Sequence, residues 1–107
     1  MKEMSLMREF LGDSTYVRIL DFLVYSKDEE LTKKQLAEGA DVSRAALFHY
    51  WPDIERHGLV RVTRVFGKTK LYTPNNRSPL MQKLYELELA LIKQSLEKHR
   101  KKLVAHH

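Results

Sequence analysis

The stretch LTKKQLAEGADVSRAALFHYWPDIERHGLVRVTRVFGKTKLYT, residues 31–73, decides the fold. It reads as helix, tight turn, second helix and a basic two-stranded hairpin. Thr32 suits an N-cap, since its hydroxyl can accept an otherwise unpaired first-turn N–H. The helix it opens is expected to run to about Gly39, with Leu36 and Ala37 inward. Gly39–Val42 is the turn, and Ser43 caps the next helix. Ala46, Leu47 and Tyr50 then point to the core, which leaves Ser43, Arg44, Ala45, Phe48 and His49 outward. Pro52 lacks an N–H, so a kink at Trp51 or a fresh short helix over Pro52–His57 is expected. Gly58 ends that helix. Leu59–Val65 is β-branched and partly alternating, with Val60 and Val62 set against Arg61 and Thr63. Phe66–Thr69 is the turn and Lys70–Thr73 the return strand.

Outward from this segment, Met4, Met7, Phe10 and Leu11 fall at helical spacing, which predicts a short helix over 3–11. Gly12 breaks it, and Asp13 or Ser14 caps a helix over about Thr15–Ser26. Residues 27–30 are a polar connector and 74–77 a loop. Ser78-Pro79 is a cap followed by proline at the first helical position. The helix it opens runs to about Val104. The expected architecture is mainly α with a small antiparallel β-hairpin. A first region, 1–77, holds the two-helix motif, its hairpin and an N-terminal helical arm; a second, 78–107, is one long helix.

The net charge of +5 is unevenly placed. Residues 1–42 carry net −3, residues 43–77 net +5 and residues 78–107 net +3. The basic excess thus begins at the second helix of the motif and covers its hairpin, which is the footprint of a polyanion binder. Without cysteine, a disulfide framework or thiolate metal site is excluded. No apolar run is long enough to span a membrane, and the N-terminus lacks a signal-peptide core. A cytoplasmic location is the default expectation. His106 and His107 are given no role.

The words Leu36-Ala37, Val42-Ser43-Arg44 and His57-Gly58-Leu59-Val60 carry a resemblance. The segment is similar to winged helix-turn-helix transcriptional regulators of the broad MarR/ArsR-like group, and Phe10–Ser14 resembles small archaeal members. The similarity covers about Leu11 to Thr73. Asp41 departs from the pattern by standing where a left-handed glycine is usual; Asp tolerates that conformation better than most residues. Pro52 is the second departure and falls in the C-terminal half of the usual recognition helix.

The resemblance implies double-stranded DNA as the partner, with the second helix in the major groove. Arg44 is the best base reader, because guanidinium can bond bidentately to guanine O6 and N7; a phosphate contact is the alternative. Ala45 fits a thymine methyl, Ser43 a phosphate, and His49 either. Phe48 belongs to the reading face or, if the helix is rotated, to the core. Arg61, Arg64, Lys68 and Lys70 flank the Gly67 turn and would follow the phosphates or enter the minor groove; the plainer alternative is an edge hairpin protected by charge.

In the last helix, Leu80, Leu84, Leu87 and Leu91 form one seam, and Tyr85, Leu89, Ile92 and Leu96 a second. So broad a stripe is read as a homodimerisation surface, shared with Met4 and Met7; folding back on its own domain is the alternative. His49, Asp53 and His57 recur every four residues, but Pro52 interrupts their phase and a metal site is set aside. No nucleophile–base pair, phosphate-cradling loop or cofactor motif is present, so no enzyme activity is expected. A winged helix that docks protein is the competing reading, and the basic surface argues against it. A small-molecule effector at the helical interface has no direct support in the sequence.

Overall fold

Each of the five described helices begins at a serine or threonine whose side-chain oxygen accepts a first-turn N–H. The structure is a computed structural model that describes residues 4–105, with side chains over residues 4–102; the terminal histidines lie outside the described residues. The elements are α1 (Leu6–Leu11), α2 (Thr15–Tyr25), α3 (Lys33–Ala40), α4 (Arg44–Arg56), β1 (Val60–Phe66), β2 (Thr69–Pro74) and α5 (Pro79–Ala105). Ser5, Ser14, Thr32, Ser43 and Ser78 are the caps. At Thr32 the cap is reciprocal: Thr32 Oγ1 accepts from Gln35 N–H at 3.1 Å, and Gln35 Oε1 accepts from Thr32 N–H at 2.9 Å. Ser14, not Asp13, caps α2.

Both helices of the motif end in the same left-handed device. Asp41 adopts φ 57° and ψ 47°; its N–H bonds Glu38 C=O, and Val42 N–H bonds Ala37 C=O at 3.0 Å. Gly58, at φ 65°, repeats the pattern after α4, with Leu59 N–H on Ile54 C=O at 3.1 Å. The expected break at Pro52 does not occur, and α4 runs unbroken through it. Proline costs a helix interior about 3 kcal/mol. Trp51 and Ile54, both buried on the inward face, offset that cost by keeping the second half of α4 against the core.

Leu23, Leu36, Leu47, Trp51, Ile54 and Leu59 form the centre of the core, closed by Met7 and Met81. Trp51 meets Tyr72 edge to face at 4.8 Å, which seats the hairpin on α4. β1 and β2 pair antiparallel, with an irregularity between Val62 and Arg64 that leaves Thr63 as an extra residue. The bulge resets the alternation: Thr63 turns half-buried, and Val62, expected inward, is 44% exposed. Leu31 adds an isolated bridge to Tyr72, so β2 lies between Leu31 and β1.

Gly39 lies inside α3, not in the turn. A Cβ there would overlap the ring of Phe22, so the missing side chain is what lets α2 and α3 cross closely. Met7 also corrects an expectation. Counted among the dimer contacts, it is fully buried within its own chain and offers no surface to a partner. The cause is that α1 packs against both α2 and α5 and drives Met7 between them.

Candidate nucleic-acid interface

The expected helical phase of α4 holds. Leu47 is fully buried and Tyr50 half-buried, while Ser43, Arg44, Ala45, Phe48 and His49 are all exposed on the other side. Ser43 Oγ accepts from Ala46 N–H at 3.0 Å, which leaves its own hydroxyl proton available to an outside acceptor. Arg44 makes no ion pair among the described residues. His49 stacks edge-on against Tyr50 at 4.9 Å. Phe48 is 53% exposed and therefore belongs to the outer face.

The turn ahead of this face is tied from behind. Arg18 Nη1 donates to Asp41 C=O at 3.1 Å, and Arg18 Nη2 pairs with Asp13 at 2.9 Å. Asp13 also takes Arg8 Nε at 2.5 Å. Hydrogen bonds from Arg18 and Arg8 hold the Asp13 carboxyl well below the usual carboxylate range. One carboxylate thus joins α1, α2 and the turn.

The four hairpin cations have different surroundings. Lys68 and Lys70 are exposed at the tip and make no ion pair among the described residues. Arg64 Nε pairs with Glu30 at 3.2 Å, and Glu30 also accepts from Thr63 Oγ1 at 3.0 Å. Arg61 lies at the hairpin's base, in a recess shared with Asp28, Glu30, Asn76 and Arg77. Sequence reasoning missed Lys33. Its ammonium stands 5.0 Å from the Trp51 ring centroid, 5.4 Å from Phe48 and 5.8 Å from Tyr72. Its only sequence signal is a basic residue at the first position of α3.

The two seams of α5 also divide. Leu84, Tyr85, Leu87 and Leu91 are half-buried against their own core. Tyr85 O–H donates to Asn76 Oδ1 at 2.6 Å, with Lys27 over its ring. Leu80 is exposed and lines an apolar groove of about 370 Å3 with Tyr16, Leu20, Leu59, Leu84 and Leu87. Leu89 and Leu96 are each 65% exposed, and Ile92, Met4 and Phe10 are exposed as well. Glu88 Oε2 is enclosed and has no hydrogen-bond partner among the described residues; burial first, then Asp21, raises its pKa. Among the described residues, His49, Asp53 and His57 do not converge as a ligand group, and Asp53 instead pairs with Arg56.

No protein-family model matches the sequence, and no curated protein matches it. Solved structures do. The DNA complex of MepR from Staphylococcus aureus superposes with TM-score 0.60 at 13% identity, over 94% of this chain and 81% of that one. ZitR from Lactococcus lactis, a zinc-responsive MarR-family member, gives TM-score 0.58 at 13% identity over 78% of this chain. The match spans 57% of the ZitR chain. Sso10a-2, a DNA-binding protein from Sulfolobus solfataricus, gives TM-score 0.53 at 15% identity, over 82% of this chain and 90% of that one. The fold is the winged helix of these proteins, mostly helical with one antiparallel hairpin and a long C-terminal helix.

Proposed function

We propose that this chain is a sequence-specific, double-stranded-DNA-binding transcriptional regulator of the MarR-like winged-helix group, acting as a homodimer. The observation that carries the reading is the outer face of α4. Ser43, Arg44, Ala45, Phe48 and His49 stand exposed together on a helix fixed by buried Leu47, Trp51 and Ile54. Among the described residues Arg44 has no acidic partner to neutralise it, and the fold is one in which MepR is seen with DNA.

In this reading the start of α4 enters the major groove, which is wide enough for one helix. Arg44 bonds guanine O6 and N7, Ala45 meets a thymine methyl, and Ser43 donates to a phosphate. The hairpin lies on the neighbouring backbone. Residues 1–77 form the reading head with its N-terminal arm. Residues 78–107 join two heads through the exposed Leu89, Ile92 and Leu96 stripe, so that two α4 helices meet successive major grooves ~34 Å apart. Chemistry on the DNA is no part of the proposal: the face offers hydrogen-bond donors and a methyl, with no nucleophile–base pair.

The test is selection of bound duplexes from a random pool, followed by salt titration of the best site. A specific motif is expected, with affinity falling steeply as salt rises. Arg44→Ala should relax one motif position at a cost of about 1–3 kcal/mol. A flat salt response, or no enriched motif, overturns the reading in favour of a protein-docking winged helix. A uniform loss across sequences demotes Arg44 to a phosphate contact.

A further inference from the structure

We infer that the DNA backbone is gripped in the cleft between the start of α3 and the hairpin tip, by Lys33 together with Lys68 and Lys70, and that Arg61 and Arg64 stand outside this grip. The inference rests on the DNA-binding reading above and adds to it a residue and a path for the strand.

The cleft measures about 280 Å3 and is lined by Thr32, Lys33, Lys68, Thr69, Lys70 and Tyr72. Three of the six are lysines, the other three (Thr32, Thr69 and Tyr72) carry hydroxyls, and none is acidic. None of the three lysines makes an ion pair among the described residues. Three like charges around one cleft repel one another, and an anion between them reverses the sign of that interaction. A phosphodiester supplies one negative charge and two acceptor oxygens, which ammonium and hydroxyl groups can satisfy together. The Thr32 oxygen accepts from Gln35 N–H, which leaves its hydroxyl proton free to donate to a phosphate oxygen.

Lys33 differs from an ordinary surface lysine. Its ammonium is held by the faces of Trp51, Phe48 and Tyr72, which come from α4 and β2. The side-chain freedom a lysine normally loses on binding is therefore largely spent at folding. One of those rings, Phe48, lies on the outer face of α4, so the cleft is continuous with the surface proposed to enter the groove. A strand bordering that groove passes the cleft. Arg64, by contrast, is occupied by Glu30, and Arg61 lies at the hairpin's far end, in the recess it shares with Asp28, Glu30 and Arg77.

The experiment measures duplex affinity of the full chain across a salt series for wild type, Lys33→Gln, Lys33→Arg and Arg61→Gln. Lys33→Gln should weaken binding to every duplex by one common factor and make the log–log salt slope shallower by about one. Lys33→Arg should restore most of both, and Arg61→Gln should change neither. If wild type binds and Lys33→Gln binds identically, or loses affinity for some sequences only, the cleft assignment fails while the DNA reading stands. If wild type shows no salt-dependent duplex binding, the DNA reading itself fails. Should Lys33→Gln unfold, the exposed pair Lys68→Gln and Lys70→Gln tests the opposite wall and should make the slope shallower by about two. Inorganic phosphate provides the control. A melting-temperature rise with phosphate that Lys33→Gln abolishes, with duplex affinity unchanged, would make this a free-anion site and overturn the inference.

Discussion

Two helical faces of this molecule are exposed, and they are held in different ways. The outer face of α4 is backed by buried Leu47, Trp51 and Ile54, and its leading turn is tied to α1 and α2 through Asp13 and Arg18. In α5, Met81 is fully buried, but from Ile92 to Lys102 every described residue is exposed, Ile92 and Leu96 included. The first face has a geometry of its own to present to a ligand. The second has apolar surface, at Leu89, Ile92 and Leu96, that the described residues of its own chain leave uncovered. A face backed by the core and an uncovered apolar stripe are thus placed on two different helices of the chain.

The sharpest way to break the comparison is to remove the backing of α4. Leu47→Ala deletes a side chain with no exposed surface and should cost about 2–5 kcal/mol of stability, seen as a large fall in Tm. A shift of under about 1 kcal/mol would mean that α4 is not anchored as described. The converse test is at α5. Leu89→Lys with Leu96→Lys should weaken self-association by about 2 kcal/mol or more, a factor of ~30 in Kd by sedimentation equilibrium. The helicity of the head should survive. Unchanged association would leave the stripe without the role assigned to it.

Smaller effects refine the first face. Asp41 is left-handed, so Asp41→Ala should cost about 1 kcal/mol and Asp41→Gly should be neutral or stabilising. Equal losses in chemical denaturation would shift the weight from backbone conformation to the Asp41 carboxylate. The smallest expected effects are in pH dependence, where two carboxylates have opposite signs. The folded pKa of Asp13 is lowered, so its contribution is present above the unfolded carboxylate range and is lost as pH falls below it. The folded pKa of Glu88 is raised, so its charged form opposes folding and that penalty fades as pH falls. At neutral pH, Asp13→Asn should lower Tm and Glu88→Gln should raise it. Both differences should shrink in melts at pH 3.

The helix starts were legible in the sequence because a cap is a local device: Thr32, Ser43 and Ser78 each serve an N–H three residues on. The outer face of α4 was legible from helical phase alone. What escaped was non-local. The Leu31–Tyr72 bridge is a single rung and leaves no periodicity. The pairing of Arg64 with Glu30 joins residues 34 positions apart, so a basic hairpin looked like four equivalent cations. Gly39 resembled a turn glycine because the ring that needs its missing Cβ belongs to another helix. Met7 lay at the right spacing for a surface seam, and only the packing of α1 between α2 and α5 shows it enclosed. Pro52 failed as a breaker because its local cost is of the same order as the burial of the residues beside it.

The proportions of α5 have a mechanical consequence. Its 27 residues make a rod of ~40 Å, seated on the core from Met81 to Leu91 and free of it, among the described residues, from Ile92 onward. A rod held at one end is a lever. By simple arc length, a tilt of about 5° at the end of that seat swings the far end by roughly 2 Å, given the rise per residue. A small change of packing beneath Leu87 and Leu91 is therefore read out as a displacement of the helix's far end.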